Sequence, residues 1–112
     1  MEWIDNVFEK QLELQKRIKN VDELENVVDM YGAATGMMIE IGEMLQSDTR
    51  WKAYITRSKK KAMFDFEQFK EELADVFIYL MNVLIYSGCP LDDFKHEVIY
   101  KQLVVKERFD AD

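Results

Sequence analysis

Apolar residues recur at helical spacing over most of this chain, and the polar residues among them fall on a few defined stripes. From Trp3 to Lys19, the residues Val7, Leu12 or Gln11, Leu14 and Ile18 lie on or near one face and predict a first helix. Asp22, with Glu25 three residues later, has the form of a capping box and predicts a second helix running to about Gln46. Gly32, Gly36 and Gly42 fall inside it. Each costs about 1 kcal/mol against alanine in a helix, so they point to close approach by a neighbouring helix or a ligand. Asp48 to Phe64 lacks clean periodicity and reads as a loop with at most a short helical turn; loops of that length are uncommon in compact domains and often functional. Asp65 and Gln68 repeat the capping-box spacing and open a third helix that ends near Ser87, with Gly88 as its C-terminal cap. Pro90 breaks the chain. A last helix is expected from Leu91 to Arg108, followed by a frayed acidic tail, Asp110-Ala111-Asp112. The pattern therefore predicts an all-α four-helix bundle, with residues 1–112 as a single domain.

Two carboxylate pairs interrupt the apolar runs. Glu40 and Glu43 lie in Met37-Met38-Ile39-Glu40-Ile41-Gly42-Glu43-Met44-Leu45, and Glu72 and Asp75 in Glu72-Leu73-Ala74-Asp75-Val76-Phe77. Residues three apart share a helix face, so each pair aims two carboxylates at one place. An arbitrary pair of this spacing is usually a solvated face or a surface ion pair, and Glu2 with Asp5 shows how readily one arises. The surroundings distinguish these two. On the third helix Phe69, Leu73, Val76, Phe77, Leu80 and Leu84 form an apolar stripe, and Glu72, Asp75, Tyr79 and Asn82 form a polar stripe beside it. Carboxylates drawn toward a core need cations, and an all-oxygen ligand set suits Mg²⁺ or Mn²⁺. A di-iron bundle normally uses two Glu-x-x-His motifs, whereas this chain has one histidine, His96, which reads as a surface residue.

Composition sharpens this picture. Apolar residues make up 48% and charged residues 33%, as in a soluble globular protein, and the single proline and four glycines favour long helices. The single cysteine, Cys89, allows no intramolecular disulfide, in keeping with a reducing cytoplasm, and reads as structural. No signal peptide is expected at Met1-Glu2-Trp3-Ile4-Asp5, and Val76 to Tyr86 falls short of the roughly 20 residues of a membrane helix, so no membrane partner is expected. A net charge of −7 argues against nonspecific nucleic-acid binding. One segment runs the other way: Arg50, Lys52, Arg57, Lys59, Lys60 and Lys61 occur with no acid among them. That run is either a solvated loop or a cover for an anion. Four carboxylates holding two or three divalent ions leave an excess of positive charge that a bridging nucleoside triphosphate would balance.

These residues resemble the all-α nucleoside triphosphate pyrophosphohydrolases, the superfamily of MazG, dimeric dUTPases and dCTP pyrophosphatases. Its signature is E-x-x-E, a spacer, then E-x-x-D, here Glu40-Ile-Gly-Glu43 and Glu72-Leu-Ala-Asp75. The run Glu71-Glu72-Leu73-Ala74-Asp75-Val76-Phe77-Ile78-Tyr79-Leu80 looks especially like the MazG-like and dCTP pyrophosphatase branch, and Trp51-Lys52 is similar to a W-K element of several members. In the last helix Lys101 and Arg108 fit a K-x-x-x-N-x-x-R pattern, with Val105 in place of the asparagine. Gln15 resembles a substrate-contacting glutamine of dimeric dUTPases, but Ile18-Lys19-Asn20 does not reproduce the leucine-asparagine that follows there, which weighs against dUTP as the specific substrate.

The resemblance implies Mg²⁺-dependent hydrolysis of a (deoxy)nucleoside triphosphate to the monophosphate and pyrophosphate, with a pyrimidine deoxynucleotide as the first expectation. Glu40, Glu43, Glu72 and Asp75 would hold the metal, and Glu40, with Glu43 next, would be the general base. Lys52, Lys101 and Arg108 would neutralise the leaving pyrophosphate. Gln15, Trp51, Tyr79 and Asn82 complete the candidate substrate contacts, although an isolated tryptophan equally reads as an interface residue. A homodimer or homotetramer is expected, because large apolar residues exceed what one four-helix interior covers. The rival reading is a non-catalytic helical binding module whose acidic, metal-free face meets a basic partner.

Overall fold

The computed structural model describes residues 2–48 and 64–111. Over these residues the chain is all-α, with helices α1 (Trp3–Lys19), α2 (Val27–Ser47), α3 (Phe66–Ser87) and α4 (Leu91–Ala111), the four-helix architecture expected from the pattern. The basic run from Arg50 to Lys61, with Trp51 and Lys52, lies outside the described residues. Asp48 and Phe64 pair in an isolated antiparallel bridge, and the Asp65 N–H donates to the Ser47 carbonyl at 3.1 Å. Those two contacts join the end of α2 to the start of α3.

The ends of α3 are where local chemistry places them. The Asp65 carboxylate accepts from the Gln68 N–H at 3.1 Å, and Gly88, at φ 74°, turns its N–H back to the Ile85 and Leu84 carbonyls. That left-handed conformation favours glycine, and a Cβ there would also lie 2.7 Å from Cδ of Glu25.

Two other boundaries differ from expectation. The box at Asp22 and Glu25 does not start α2. Its N-cap is Asn26, whose side chain accepts from the Asp29 N–H at 3.1 Å. Leu24 is buried against Ala33, Ile85 and Tyr86, and the Asn26 N–H donates to the Tyr86 carbonyl at 2.8 Å. Tertiary burial and a long-range hydrogen bond thus outweigh a local cap worth about 1 kcal/mol. At the other end, α4 continues through Ala111 where a frayed tail was expected. An ion pair between Lys106 and Asp110, four residues apart, spans that last turn.

α2 and α3 form an antiparallel pair. Gly36 meets Tyr79, while Glu40, one turn further along α2, feels Asp75, one turn back along α3. α1 lies parallel to α3, since Gln11 bonds Asn82 and Gln15 bonds Tyr86, each pair four residues beyond the other. Ile4, Val7, Phe8 and Leu12 of α1 pack inward on this line. Leu14 and Ile18, expected on the same face, are exposed instead. Leu14 lies just outside the 4-7-8-11-12-15 stripe that α3 covers, about 90° from its middle at 100° per residue, and Ile18 falls in the last turn.

The core has two parts, one around Leu24, Ala33, Ile85 and Tyr86, the other around Met81, Leu84 and Leu91, with Met81 fully buried. Lys95 fastens the start of α4 to α1 through Asp5 at 2.8 Å and Glu2 at 3.1 Å. The chain turns by 117° between α3 and α4, short of the reversal that would lay α4 along α3. Among the described residues no single helix is long and apolar enough to cross a membrane.

Candidate functional site

The antiparallel pairing of α2 and α3 sets the two carboxylate motifs against each other. One carboxylate oxygen from each of Glu40, Glu43 and Glu72 lies within 4.8 Å of the others, the separation at which one cation can bind all three. Glu40 and Glu72 are half-buried, and one oxygen of each (Oε2) is shielded from solvent with no hydrogen-bond partner among the described residues. Glu43 and Asp75 are more exposed. Asp75 stands outside the three-residue group, yet its charge reaches both Glu40 and Glu72.

The electrostatics carry the mark of an uncompensated site. Burial foremost, then the charge of Glu43, a hydrogen bond with Glu72 and the charge of Asp75, push the Glu40 carboxyl from its usual 4.5 up to about 7. Burial foremost also raises the Glu72 carboxyl, with the charges of Glu43 and Asp75 adding to it, while the hydrogen bond from Glu40 works in the opposite direction. Among the described residues no lysine or arginine contributes to either field. Shielded carboxylate oxygens gathered at one point, with no donor and no cation beside them among the described residues, fit a hard divalent ion.

A second polar line continues along α3 beyond the carboxylates. The Tyr79 ring packs on Gly36, where a Cβ would come within 2.9 Å of its Cδ1. Among the described residues, Gly36 is thus the one α2 glycine whose missing side chain a neighbour uses. A Cβ at Gly32 or Gly42 would meet none of the described residues within 4 Å. Further along, Gln11 Nε2 donates to Asn82 Oδ1 at 2.8 Å, and the Tyr86 hydroxyl donates to Gln15 Oε1. Burial raises the Tyr86 phenol above its usual 10, which keeps it a neutral donor.

Several sequence-level candidates therefore come together. Glu40, Glu43, Glu72 and Asp75 share one end of the α2–α3 groove, and Tyr79, Asn82 and Gln15 follow it along α3. Lys101 and Arg108 do not join them: both are exposed on α4, and Lys101 faces Glu97 one turn away at 4.0 Å. The turn between α3 and α4 directs that part of α4 away from the groove. Trp51 and Lys52 lie outside the described residues. Gln11 and Tyr86 escaped sequence reasoning. Their signal was a matched spacing, Gln11 and Gln15 on α1 against Asn82 and Tyr86 on α3, four residues apart on each.

Facing E-x-x-E and E-x-x-D helices in an all-α chain define the class of helical, acid-rich nucleotide hydrolases. The sequence pattern of one such family, dUTPase, matches residues 3–108, and the chain belongs to that family. Searches of curated proteins and of solved structures each return no match. Family membership assigns the chain to nucleoside triphosphate hydrolysis in general, and within the three branches that its motifs resemble it selects the dUTPase one.

Proposed function

We propose that this chain hydrolyses a pyrimidine deoxynucleoside triphosphate to the monophosphate and pyrophosphate, with Mg²⁺ or Mn²⁺ held by Glu40, Glu43, Glu72 and Asp75. The observation that carries this reading is the convergence of Glu40, Glu43 and Glu72 within 4.8 Å, with two shielded oxygens lacking donors. A bound divalent ion would supply charge neutralisation for the phosphates and acidify a water molecule. Glu40 is the preferred base. Its carboxyl is raised to about 7, near neutrality, so it is suited to accept a proton from the attacking water. With its proton taken by Glu40, the water oxygen would bond to the α-phosphorus as the bond to the α–β bridging oxygen breaks, and pyrophosphate would leave. Glu43 is the next candidate. Lys52 remains the residue proposed to neutralise the leaving group, with Trp51 set to stack on the base; Lys101 and Arg108 were expected to share that role, but they stand on α4 away from the groove of their own chain.

The second polar line supports a pyrimidine. With Asn82 Oδ1 engaged by Gln11 and Gln15 Oε1 engaged by Tyr86, the amide N–H groups of Asn82 and Gln15 are left to donate, and Gln11 Oε1 to accept. Amide donors and an acceptor are the groups that the O2, N3–H and O4 edge of uracil would need. Tyr79 packs between this line and the carboxylates. The same reading takes the chain to act as a homodimer or homotetramer.

Pyrophosphate release across the common NTPs and dNTPs, with Mg²⁺ or Mn²⁺, tests the proposal. dUTP is expected to lead the panel. Absence of metal-dependent release from any triphosphate overturns it.

A further inference from the structure

The polar line of the groove offers amides to a base, and an amide can face either way. Turned over about its last side-chain bond, a glutamine or asparagine exchanges donor for acceptor with little change of shape. The Gln11–Asn82 bond does not choose between the two. If both amides turn, Asn82 Nδ2 donates to Gln11 Oε1 instead, and neither side chain has another hydrogen-bond partner among the described residues to oppose the change. Gln15 is different. Its Oε1 accepts from the Tyr86 hydroxyl, and Tyr86 is 5% exposed, its ring packed with Leu24, Ala33 and Ile85 and its carbonyl held by the Asn26 N–H at 2.8 Å. Burial raises the phenol, so it keeps its proton. Were Gln15 to turn over, the hydroxyl would accept from the amide N–H, and its own proton would be buried without an acceptor. Asp29, whose charge reaches Tyr86, is taken up by Lys19 at 3.2 Å.

Position along α3 decides which atom of the base Gln15 meets. From the carboxylates the line runs through Glu72 and Asp75, then Tyr79, then Asn82 with Gln11, and last Tyr86 with Gln15. Side chains lean toward the N-terminus of their helix, and α1 runs parallel to α3, so Gln15 and Tyr86 both lean back along the groove toward the carboxylates. A nucleotide with its phosphates at the carboxylates points its base along this line. In a pyrimidine the 2-oxo group lies beside the bond to the sugar, and position 4 lies across the ring. Gln15, at the end farther from the phosphates, therefore faces position 4. Uracil carries an oxygen there, which needs a donor, whereas cytosine carries an amino group, which needs an acceptor.

We propose that Tyr86 is a positioning residue that fixes the Gln15 amide with its N–H group toward position 4 of the base, and so makes the groove choose uracil over cytosine. The proposal rests on the reading of the groove as a pyrimidine nucleotide site. Tyr86 acts only through Gln15. Steady-state kinetics on dUTP and dCTP at fixed Mg²⁺ test it. Tyr86→Phe keeps the ring and its packing but frees Gln15 to turn, so the ratio of kcat/KM for dUTP to that for dCTP should fall roughly 5- to 150-fold, the factor that a buried hydroxyl left without a partner is worth. Gln15→Ala should lower the same ratio, and adding Tyr86→Phe in that background should lower it no further. Gln15→Glu leaves Tyr86 its acceptor and presents only an acceptor to the base, so it should shift preference toward dCTP, and it decides the matter even if Tyr86→Phe fails to fold. A general loosening of the core would weaken both substrates alike. An unchanged ratio in Tyr86→Phe or Gln15→Glu, with dUTP still hydrolysed, overturns the inference alone, as does a wild type that prefers dCTP. Absence of turnover of every triphosphate overturns the reading beneath it, and the inference with it.

Discussion

Replacing Gly36 with alanine tests the contact that sets the spacing of α2 and α3 beside the carboxylates. In mid-helix the change by itself stabilises by about 1 kcal/mol. Here the new methyl would stand 2.9 Å from Tyr79 Cδ1 and nearer still to Cε1. Carbon atoms are at ease at about 3.5–4.0 Å, so the ring, or α3 with it, must retreat by about 1 Å. Overpacking of that kind costs about 1–3 kcal/mol. The net effect runs from near neutral to about 2 kcal/mol destabilising, and for 112 residues the upper figure lowers Tm by about 8 °C.

The decisive quantity is the difference between two backgrounds. In Tyr79→Ala the obstacle is gone, and the same Gly36→Ala change should stabilise by about 1 kcal/mol. Urea unfolding of the four proteins gives the coupling, expected at about 1–3 kcal/mol. An equal effect of Gly36→Ala in both backgrounds would refute the contact and, with it, the register that brings Glu40 and Glu72 together. Glu40 is one turn from Gly36, so Gly36→Ala in the wild-type background should also reduce the rise in Tm that Mg²⁺ produces.

Three further outcomes are expected. Glu43→Gln and Asp75→Asn should abolish pyrophosphate release while metal-free stability holds or rises, because each removes like charge from the cluster; Mg²⁺ should raise the Tm of the wild type but not of Glu43→Gln, and a binding module without a metal would show no such rise. With metal chelated, the folded chain holds protons on Glu40, at about 7, and on Glu72 that the unfolded chain releases near 4.5, so stability should fall as pH rises through that window; thermal melts in EDTA should show the fall and Glu40→Gln should flatten it, whereas a wild-type profile that rises contradicts the cluster. Lys52→Ala should lower kcat/KM roughly ten- to a hundredfold, the worth of a charge-assisted phosphate contact, and joint neutralisation of Lys59, Lys60 and Lys61 much less, as surface charges are screened within about 8 Å; equal losses in steady-state kinetics would assign the phosphates to the lysine run.

Local chemistry determined what lay within a few residues. Asp65 with Gln68 and Gly88 bounded α3 because a cap involves only near neighbours, and the spacing of three put Glu40 with Glu43, and Glu72 with Asp75, on common faces before any partner helix was known. The identity of the acid-rich motif was legible for the same reason. Contacts between distant residues were not. The start of α2 moved to Val27 because Leu24 found a core and Asn26 found the Tyr86 carbonyl, neither of which a capping pattern encodes. Three similar glycines separated into one filled by Tyr79 and two that no described residue fills only when α3 was in place. Gln11 and Tyr86 joined the groove through pairings 71 residues apart. The carboxylates became one site, with Glu40 near neutrality, only when the antiparallel pairing set two helices' charges within 4.8 Å, since helix periodicity places a side chain on a face and only packing decides what that face meets.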